Sequence, residues 1–365
     1  MKKLHKVIAS ILFASLITGC VQNNDKSKVN NDNKNIENST NDNIKEDSLN
    51  AGELIIDNHK IEDEPRYGTP IVISYNGGIC AGAPNIADIR GEFKKRGIEV
   101  EYVSGESNVD ALGTGKADAS VGHITKFIPP TLNGVNMIFT SGAHTGCKSL
   151  YVLDNRKIES TKDLVGKTVG FPEPIAASDQ NIALRFFHKD NIGVDEVKYK
   201  QVELSAIIQS LEKGEIQGAI LTDEYADKFL KDGTLKRIRS LTWDDDFKNE
   251  TCCVNAMNAD FVEENPLMAK LYNEAVIETQ IWIEEHPEEA AKILYDNNWA
   301  SGDFDASVRM LDSYNWNVTF ENTSNTFKTG FNEYKEMGII KTEMNSDEFL
   351  KNYWQTIGLE DSDFK

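Results

Sequence analysis

The most constraining feature of the sequence is an apolar, β-branched run that ends at a pair of glycines. It starts at Ile71, reaches Gly77-Gly78, passes Cys80 and changes to a helical pattern after Pro84. A strand, a glycine loop and a helix N-terminus in succession expose backbone N–H groups to a ligand. The glycines allow close approach of the backbone, and Cys80 adds a thiol at the same place. The stretch predicts one wall of a binding site in an α/β protein.

Strand and helix patterns keep alternating after this stretch. Strands are predicted over 71–75, 98–103, 117–121, 137–142, 149–153, 197–202 and 217–221. This alternation is typical of α/β layers with parallel pairing. The pattern restarts near Ile158, which indicates two similar lobes. Because ligands bind beyond the carboxyl ends of strands in open α/β sheets, we expect His123 and Asp223, each after a strand, to border a cleft.

The last third of the sequence is predicted to be mainly helical. Helices are predicted over 267–285 and 288–296, each after a Pro at the first turn. Five aromatic residues are interpreted as core packing rather than site: Trp316, Phe327, Phe331, Tyr334 and Trp354. Near the beginning of the fold, Ile86, Ile89 and Phe93 are predicted to form one apolar helix face.

Charge excludes one class of function. The 365 residues carry a formal net charge of -20, so no basic surface is available to release phosphate counterions and nucleic-acid binding is excluded. The sequence has no Ser-His-Asp order and no glycine-rich nucleotide motif, so no enzyme is predicted.

The N-terminus indicates export. Residues 1–6 are basic, and an apolar run too short to span a bilayer ends at Leu16-Ile-Thr-Gly-Cys20. This resembles a bacterial lipoprotein signal, which implies a signal peptide over 1–19 and lipidation of Cys20; a plain secretory peptide is the alternative. Residues 20–66 are rich in Asn, Asp, Lys and Ser and are predicted to be a disordered tether.

Three further motifs carry a resemblance to a known family. They are Gly115-Lys-Ala-Asp-Ala119, the I-x-x-x-x-D-L-x-G-K-x-V-G pattern from Ile158 to Gly170, and Asn258-Ala-Asp-Phe-Val-Glu-Glu-Asn-Pro266. With them the sequence resembles substrate-binding lipoproteins of ABC importers, in the group that binds nitrate, taurine, aliphatic sulfonates and thiamine-pyrimidine precursors. The resemblance implies a bilobal periplasmic-binding-protein fold (Venus flytrap, type II) with C-terminal helices.

The resemblance also implies boundaries, partners and location. Lobe I would comprise 67–155 plus 251–365 and lobe II 156–250, with crossovers near Val152 to Ser160 and Trp243 to Cys253. The partners would be the transmembrane subunits of an ABC permease with a cytoplasmic ATPase, and a small-molecule ligand. The protein would be anchored by lipid to the outer face of the bacterial cell membrane and would need no cofactor.

Candidate ligand-binding residues follow from the strand ends and from this resemblance. Glu173 follows a strand near a helix N-terminus, and Asp223 is placed to receive an amine; both are alternatively solvated charges. Few Arg residues occupy the expected loops, which favours a neutral or cationic heterocycle over a sulfonate or nitrate. The candidates are Asn76, Gly78, Cys80, His123, His144, Thr145, Cys147, Glu173, Asp223 and Cys252.

The thiols leave three interpretations open. Cys80, the segment His144-Thr-Gly-Cys147 and Cys252-Cys253 would border the cleft, with His123 nearby. They would hold a soft metal or a metal-linked ligand through thiolate and imidazole, with Cys80, Cys147, Cys252 and His144 as the candidate ligands. Alternatively some form a disulfide outside the cell, or each is a small buried hydrophobe.

Two other functions compete with import. Fungal thiamine-pyrimidine synthases share this fold group and have a cysteine-rich segment, which Cys252-Cys253 faintly resembles. A ligand-sensing surface lipoprotein without its own permease is the other alternative.

Overall fold

Two five-stranded sheets form the framework of the protein. The computed structural model describes residues 59–105, 107–300 and 303–364. The first sheet has the order β2-β1-β3-β10-β4 and the second the order β7-β6-β8-β5-β9. The strands are β1 Ile71–Ser74, β2 Val100–Val103, β3 Ala119–His123, β4 Met137–Thr145, β5 Lys148–Leu153, β6 Thr168–Phe171, β7 Lys198–Gln201, β8 Gly218–Thr222, β9 Leu235–Ser240 and β10 Thr251–Asn258.

Both sheets have the same internal plan. In the first, β1 pairs in parallel with β2 and β3, and β10 is antiparallel to β3 and β4. In the second, β6 pairs in parallel with β7 and β8, and β5 is antiparallel to β8 and β9. The prediction of two similar lobes is therefore confirmed, but purely parallel pairing is wrong. Each sheet receives one antiparallel strand from the part of the chain that crosses between the sheets.

The first crossover lies earlier in the chain than predicted. β4 ends at Thr145 in the first sheet, and β5 begins at Lys148 in the second, so the chain changes sheets at Gly146-Cys147 rather than near Val152 to Ser160. The apolar pattern of β5 is that of any buried strand and does not reveal the sheet to which it belongs. The second crossover lies between Ser240 and Thr251, close to the predicted place.

Helices cover the sheets. Their bounds are α1 Ala83–Ile89, α2 Glu92–Lys95, α3 Asn108–Gly113, α4 Ile124–Leu132, α5 Ser178–Lys189, α6 Ile207–Glu212, α7 Asp223–Lys231, α8 Ala259–Glu264, α9 Pro266–Glu285, α10 Pro287–Asp296, α11 Phe304–Ser313, α12 Phe320–Glu336 and α13 Ser346–Tyr353. The predicted single helix through Phe93 is broken between α1 and α2 at Gly91, whose φ is +73°. As a result Ile89 is exposed, whereas Ile86 and Phe93 are buried as expected.

The predicted aromatic residues lie in the core. Trp316, Phe327, Phe331 and Tyr334 are buried, and Trp354 is half-buried beside Phe327. No helix in the described part of the chain is long and apolar enough to cross a membrane.

The predicted signal peptide, Cys20 and the tether up to residue 58 lie outside the described residues. Residues 59–66 are ordered, because Glu64 accepts the N–H groups of Leu267 and Met268 and Arg66 pairs with Asp118, so the prediction of a disordered tether as far as residue 66 is wrong there.

Candidate ligand-binding cleft

A cavity of about 690 Å³ lies where the carboxyl ends of β1 and β3 approach the loop after β6. The first sheet contributes 74–77 and 120–123, and the second sheet contributes Lys148 and the loop 173–178. Cavities of this size hold small-molecule ligands. The ends of the parallel strands supply its walls, as expected for open α/β sheets.

The loop after β1 is shaped by glycine. Gly77 and Gly78 have φ values of +90° and +99°, which other residues rarely adopt. The Gly78 N–H donates to the carbonyl of Trp299, and Asn76 Oδ1 accepts from the N–H of Gly105. These bonds place Asn76, Gly77 and Cys80 along the cavity wall. Gly78 therefore shapes the wall without lining it.

The end of β3 supplies a neutral imidazole and a lysine. Burial, followed by the nearby charges of Arg185 and Lys148, lowers the pKa of His123 to about 3, so its ring is uncharged at neutral pH. Its Nδ1 lies 3.1 Å from Thr125 Oγ1. Lys126 Nζ, on the first turn of α4, donates to Asn108 Oδ1 at 2.8 Å. Both His123 and Lys126 line the cavity.

A second lysine joins two carboxylates on the second-sheet wall of the cavity. Lys148 Nζ lies 2.7 Å from Glu173 Oε1 and 2.5 Å from Asp179 Oδ1. Burial opposes ionisation of Glu173, but Lys148 outweighs it and lowers the pKa to about 2. Burial, with the Glu173 charge added, raises the pKa of Asp179 to about 6 despite the contact with Lys148. All three groups are therefore charged at neutral pH, with a lysine between two acids.

The Glu173 carboxylate also orders the 173–178 loop. Glu173 Oε2 accepts the N–H of Ser178, the first residue of α5, where an acidic group is favoured by the helix dipole. Asp179 Oδ2 accepts the N–H of Glu173 in return. The predicted position of Glu173 beside a helix N-terminus is thus found in the structure, and its ligand-binding role stays a prediction.

Four free thiols and one imidazole meet at the floor of the cavity. Cys80, Cys147 and Cys253 line the cavity, whereas Cys252 and His144 lie behind them. The sulfur atoms of Cys147 and Cys252 are 3.1 Å apart, longer than the ~2.05 Å of a disulfide. The side chains also pack into the main apolar core.

A strand irregularity brings two consecutive cysteines to one place. Side chains normally alternate between the faces of a strand. Opposite β4, however, Thr251 pairs with Thr145 and Cys253 pairs with His144, so Cys252 is an extra residue on β10. Such a bulge re-aims side chains. The sulfur atoms of Cys252 and Cys253 consequently lie 3.9 Å apart.

Cys147 holds an unusual backbone conformation at the crossover. Its φ is +107°, its N–H donates to Thr242 Oγ1, and its carbonyl accepts from the N–H of Asp223. A non-glycine residue in this region is strained and persists only where its surroundings hold it. The crossover thus fixes the Cys147 thiol against the cluster.

The thiols differ in the direction in which their pKa is shifted. Hydrogen bonds from the Cys147 and Cys253 thiols lower the pKa of Cys80, the least buried of the set, well below its ordinary value. Burial raises the pKa of Cys252 well above it. The pKa values of the thiols therefore differ in direction, with the lowered one on the cavity side.

The predicted site residues divide into three groups. Five line the cavity: Asn76, Cys80, His123, Cys147 and Glu173. Gly78, His144 and Cys252 lie directly behind its wall. Thr145 and Asp223 lie elsewhere: the Thr145 hydroxyl accepts the N–H of Asn315, and the Asp223 carboxylate accepts from Tyr151 and Thr242.

Sequence reasoning missed three residues of the site: Lys126 and Lys148, which line the cavity, and Asp179, which contacts Lys148. Cys253 was expected at the cleft border together with Cys252 but was not among the ligand-binding candidates, and it lines the cavity. Lys126 follows His123 by three residues, which places it one helical turn beyond a predicted strand end, so a signal was present. Lys148 and Cys253 depend on the crossover and on the bulge, which have no local sequence signal.

A family model named NMT1/THI5 like matches residues 85–290, more than half of the chain. The chain belongs to this family. A comparison with curated protein sequences finds no match.

Solved structures agree with the fold. The aliphatic sulphonate binding protein SsuA from Escherichia coli superposes with a TM-score of 0.63 at 15% identity, covering 80% of this chain and 94% of that one. The nitrate-binding protein NrtA from Synechocystis PCC 6803 superposes with a TM-score of 0.66 at 14% sequence identity, covering 79% of this chain and 86% of that one. The Candida albicans CA3427 gene product, which has the generic periplasmic binding protein fold, superposes with a TM-score of 0.64 at 14% sequence identity, covering 80% of this chain and 97% of that one. The predicted bilobal fold of the NMT1/THI5-like protein is confirmed.

Proposed function

We propose that the protein is the extracytoplasmic solute-binding component of an ABC importer. The observation that carries the proposal is the cavity between the two sheets, walled by strand ends of one and by the 173–178 loop of the other. A ligand in this place touches both lobes at once, so it stabilises the arrangement in which they approach each other. Its partners are the permease subunits and their ATPase.

The cavity chemistry favours a small polar ligand with little net charge. Among the residues that the structure describes, its lining includes two lysines and one glutamate and contains no arginine. His123 is neutral, and Lys148 is already paired with two carboxylates. A neutral or cationic heterocycle of the thiamine-pyrimidine type fits these groups, with Glu173 accepting from its amine. A taurine-like or sulfonate ligand would have to rely on Lys126 instead, since the described lining offers no Arg guanidinium, the group that matches such oxyanions best.

Export and anchoring complete the proposal. The N-terminal signal and Cys20 supply the route and the lipid anchor, and the anchored protein presents its cleft outside the cell. A protein with this role releases its ligand unchanged. Recovery of intact ligand after prolonged incubation, analysed by mass spectrometry, is the expected result; a chemically altered ligand would indicate an enzyme of the same fold.

Ligand binding is tested by thermal unfolding with a panel of pyrimidine precursors, taurine and alkanesulfonates. At a ligand concentration of about 100 Kd the stabilisation is about 2.7 kcal/mol. Ala81 lines the cavity, so Ala81→Trp fills part of its volume and should remove the stabilisation by ligand. Lys94→Ala, on the exposed side of α2, should keep it. A stabilising compound that acts equally on Ala81→Trp would contradict this site.

A further inference from the structure

The floor of the cavity brings together nitrogen and sulfur donors, among them a buried imidazole nitrogen without a hydrogen-bond partner. The donor atoms of Cys80, His144 and Cys253 all lie within 4.8 Å of one another. Two thiolates on a tetrahedral zinc-type ion lie about 3.8 Å apart, given Zn–S bonds of about 2.3 Å. These three side chains are therefore within a small adjustment of a coordination geometry.

The imidazole is already prepared to bind. His144 is fully buried, and its Nδ1 lies 2.8 Å from the carbonyl oxygen of Thr145, so Nδ1 carries the proton. That leaves a lone pair on Nε2, which has no hydrogen-bond partner. An unsatisfied buried nitrogen costs free energy unless something binds it. A backbone carbonyl that fixes the tautomer through the other ring nitrogen is the usual support of a metal-binding histidine.

Neighbouring rings hold this imidazole in place. His144 stacks on Tyr314 with ring centroids 5.1 Å apart and contacts Trp316 at 4.8 Å. The pairing of Cys253 with His144 across β10 and β4, made possible by the bulge at Cys252, fixes the second donor beside it. Cys80 closes the set from the loop after β1 and is the least buried of the thiols.

We infer that the cavity floor binds one thiophilic metal ion of the zinc type through Cys80 Sγ, His144 Nε2 and Cys253 Sγ. Cys80 and Cys253 line the cavity, so the fourth coordination position faces it and is open to a water or to a group of the solute. An open fourth position is the arrangement by which zinc takes part in ligand binding instead of merely bracing a fold. This site stands independently of the importer role.

A second group of donors competes for the ion. Cys147, Cys252 and Cys253 also lie within 4.8 Å of one another, but all three are buried and none is an imidazole. The first set is favoured because it contains the unsatisfied nitrogen and the cavity-facing Cys80. The two sets differ in their donor atoms, so spectroscopy separates them.

The test uses the full chain under a reducing, oxygen-free buffer with Co(II) and then Zn(II). Native mass spectrometry is expected to give one ion per chain, and X-ray absorption of the Zn(II) form is expected to give two sulfur ligands and at least one imidazole nitrogen. Three sulfur ligands without imidazole, or no stoichiometric binding, would overturn the inference. This measurement needs no variant and is unaffected by variants that fail to fold.

Variants provide the second arm. Loss of a residue that only supports a metal ligand from outside the coordination sphere costs roughly 10–100-fold in metal affinity. Cys80→Ser should weaken Co(II) binding by more than this, and the intensity of the thiolate-to-cobalt charge-transfer band should fall. Cys252→Ser should retain the nitrogen-containing coordination sphere. If Cys252→Ser loses the metal and Cys80→Ser retains it, the assignment is wrong. Organic-ligand stabilisation, measured separately with a chelator present, distinguishes failure of the metal site from failure of the solute-binding role.

Discussion

At the scale of single residues, Lys148 is the cation on which the second-sheet wall depends. Its Nζ contacts both Glu173 and Asp179, and the Asp179 side chain is only 1% exposed. Removing one partner of a buried ion pair leaves an uncompensated charge. We expect Lys148→Met to lower the free energy of unfolding by about 3 kcal/mol in urea titrations.

A surface lysine is the matched control for this change. Lys200 pairs with Glu215, and both side chains are about half exposed. Lys200→Met should cost less than about 1 kcal/mol, because exposed ion pairs contribute little. Equal costs for the two variants would mean that the Lys148 carboxylate contacts are not maintained in solution.

The backbone of Cys147 allows a second residue-scale prediction. Its φ of +107° penalises any side chain, whereas glycine adopts it freely. Cys147→Gly should therefore be more stable than Cys147→Ala by about 1 kcal/mol, the size of a typical backbone strain. Thermal unfolding of the pair measures this difference. The opposite order, which is normal for an ordinary strand or helix position, would show that the crossover lacks this conformation.

The cysteines mark the limit of sequence reasoning at this scale. The stretch around Cys80 could be assigned to the site because its glycines and its place after a strand are local signals. Cys252 and Cys253 were both expected at the cleft, although regular strand alternation places only one of the two on a given face, and Cys252 alone was named as a ligand. The bulge puts Cys253 on the cavity side, and a bulge arises from pairing with β4, which is remote in sequence.

At the scale of elements, α5 and α12 are joined through a buried arginine. Arg185 Nε donates to Glu333 on α12 and Nη2 donates to Glu250 before β10, and its side chain is 2% exposed. It also lies 5.0 Å over the Phe247 ring. This contact ties a helix of the second sheet to a C-terminal helix that packs on β4 and β10.

Removal of this arginine should loosen the link between the helices. Arg185→Leu is expected to lower the free energy of unfolding by about 3–5 kcal/mol, because two carboxylates lose their buried partner. Arg156→Leu is the control, since Arg156 is exposed and donates only to the carbonyl of Glu212. Chemical denaturation of both variants measures the difference. Surface substitutions usually change the free energy of unfolding by less than about 0.5 kcal/mol. A loss that small for Arg185→Leu would contradict the buried contact.

Most elements could be predicted from local patterns, but the sheet plan could not. Gly-capped helices and β-branched runs located β1, β3 and β8 within a few residues. The antiparallel insertion of β5 and β10 depends on pairing between segments about 70 to 130 residues apart. Alternation of strand and helix carries no information on that pairing, so the expected parallel pairing is found for β1 and β6 but is wrong for β5 and β10.

At the scale of the whole molecule, the C-terminal helices contact both lobes. On α11, Ser307 donates to Glu224 and Arg309 pairs with Asp227 on α7 of the second sheet. α12 meets α5 through Arg185 and Glu333. These contacts join the C-terminal helices to helices of the second sheet, beside the cavity between the two sheets. A saturating ligand should therefore reduce the radius of gyration in small-angle X-ray scattering and raise the melting temperature together. Stabilisation without compaction would mean that the ligand does not bring the lobes together.

Capture of one small solute by this cavity can be measured by native mass spectrometry of the protein purified from its natural host, with Ala81→Trp and Lys94→Ala prepared in parallel. We expect one small molecule per chain in the wild type and in Lys94→Ala, and none in Ala81→Trp. An unoccupied wild type that no panel compound stabilises, or a bound molecule retained by Ala81→Trp, would contradict it.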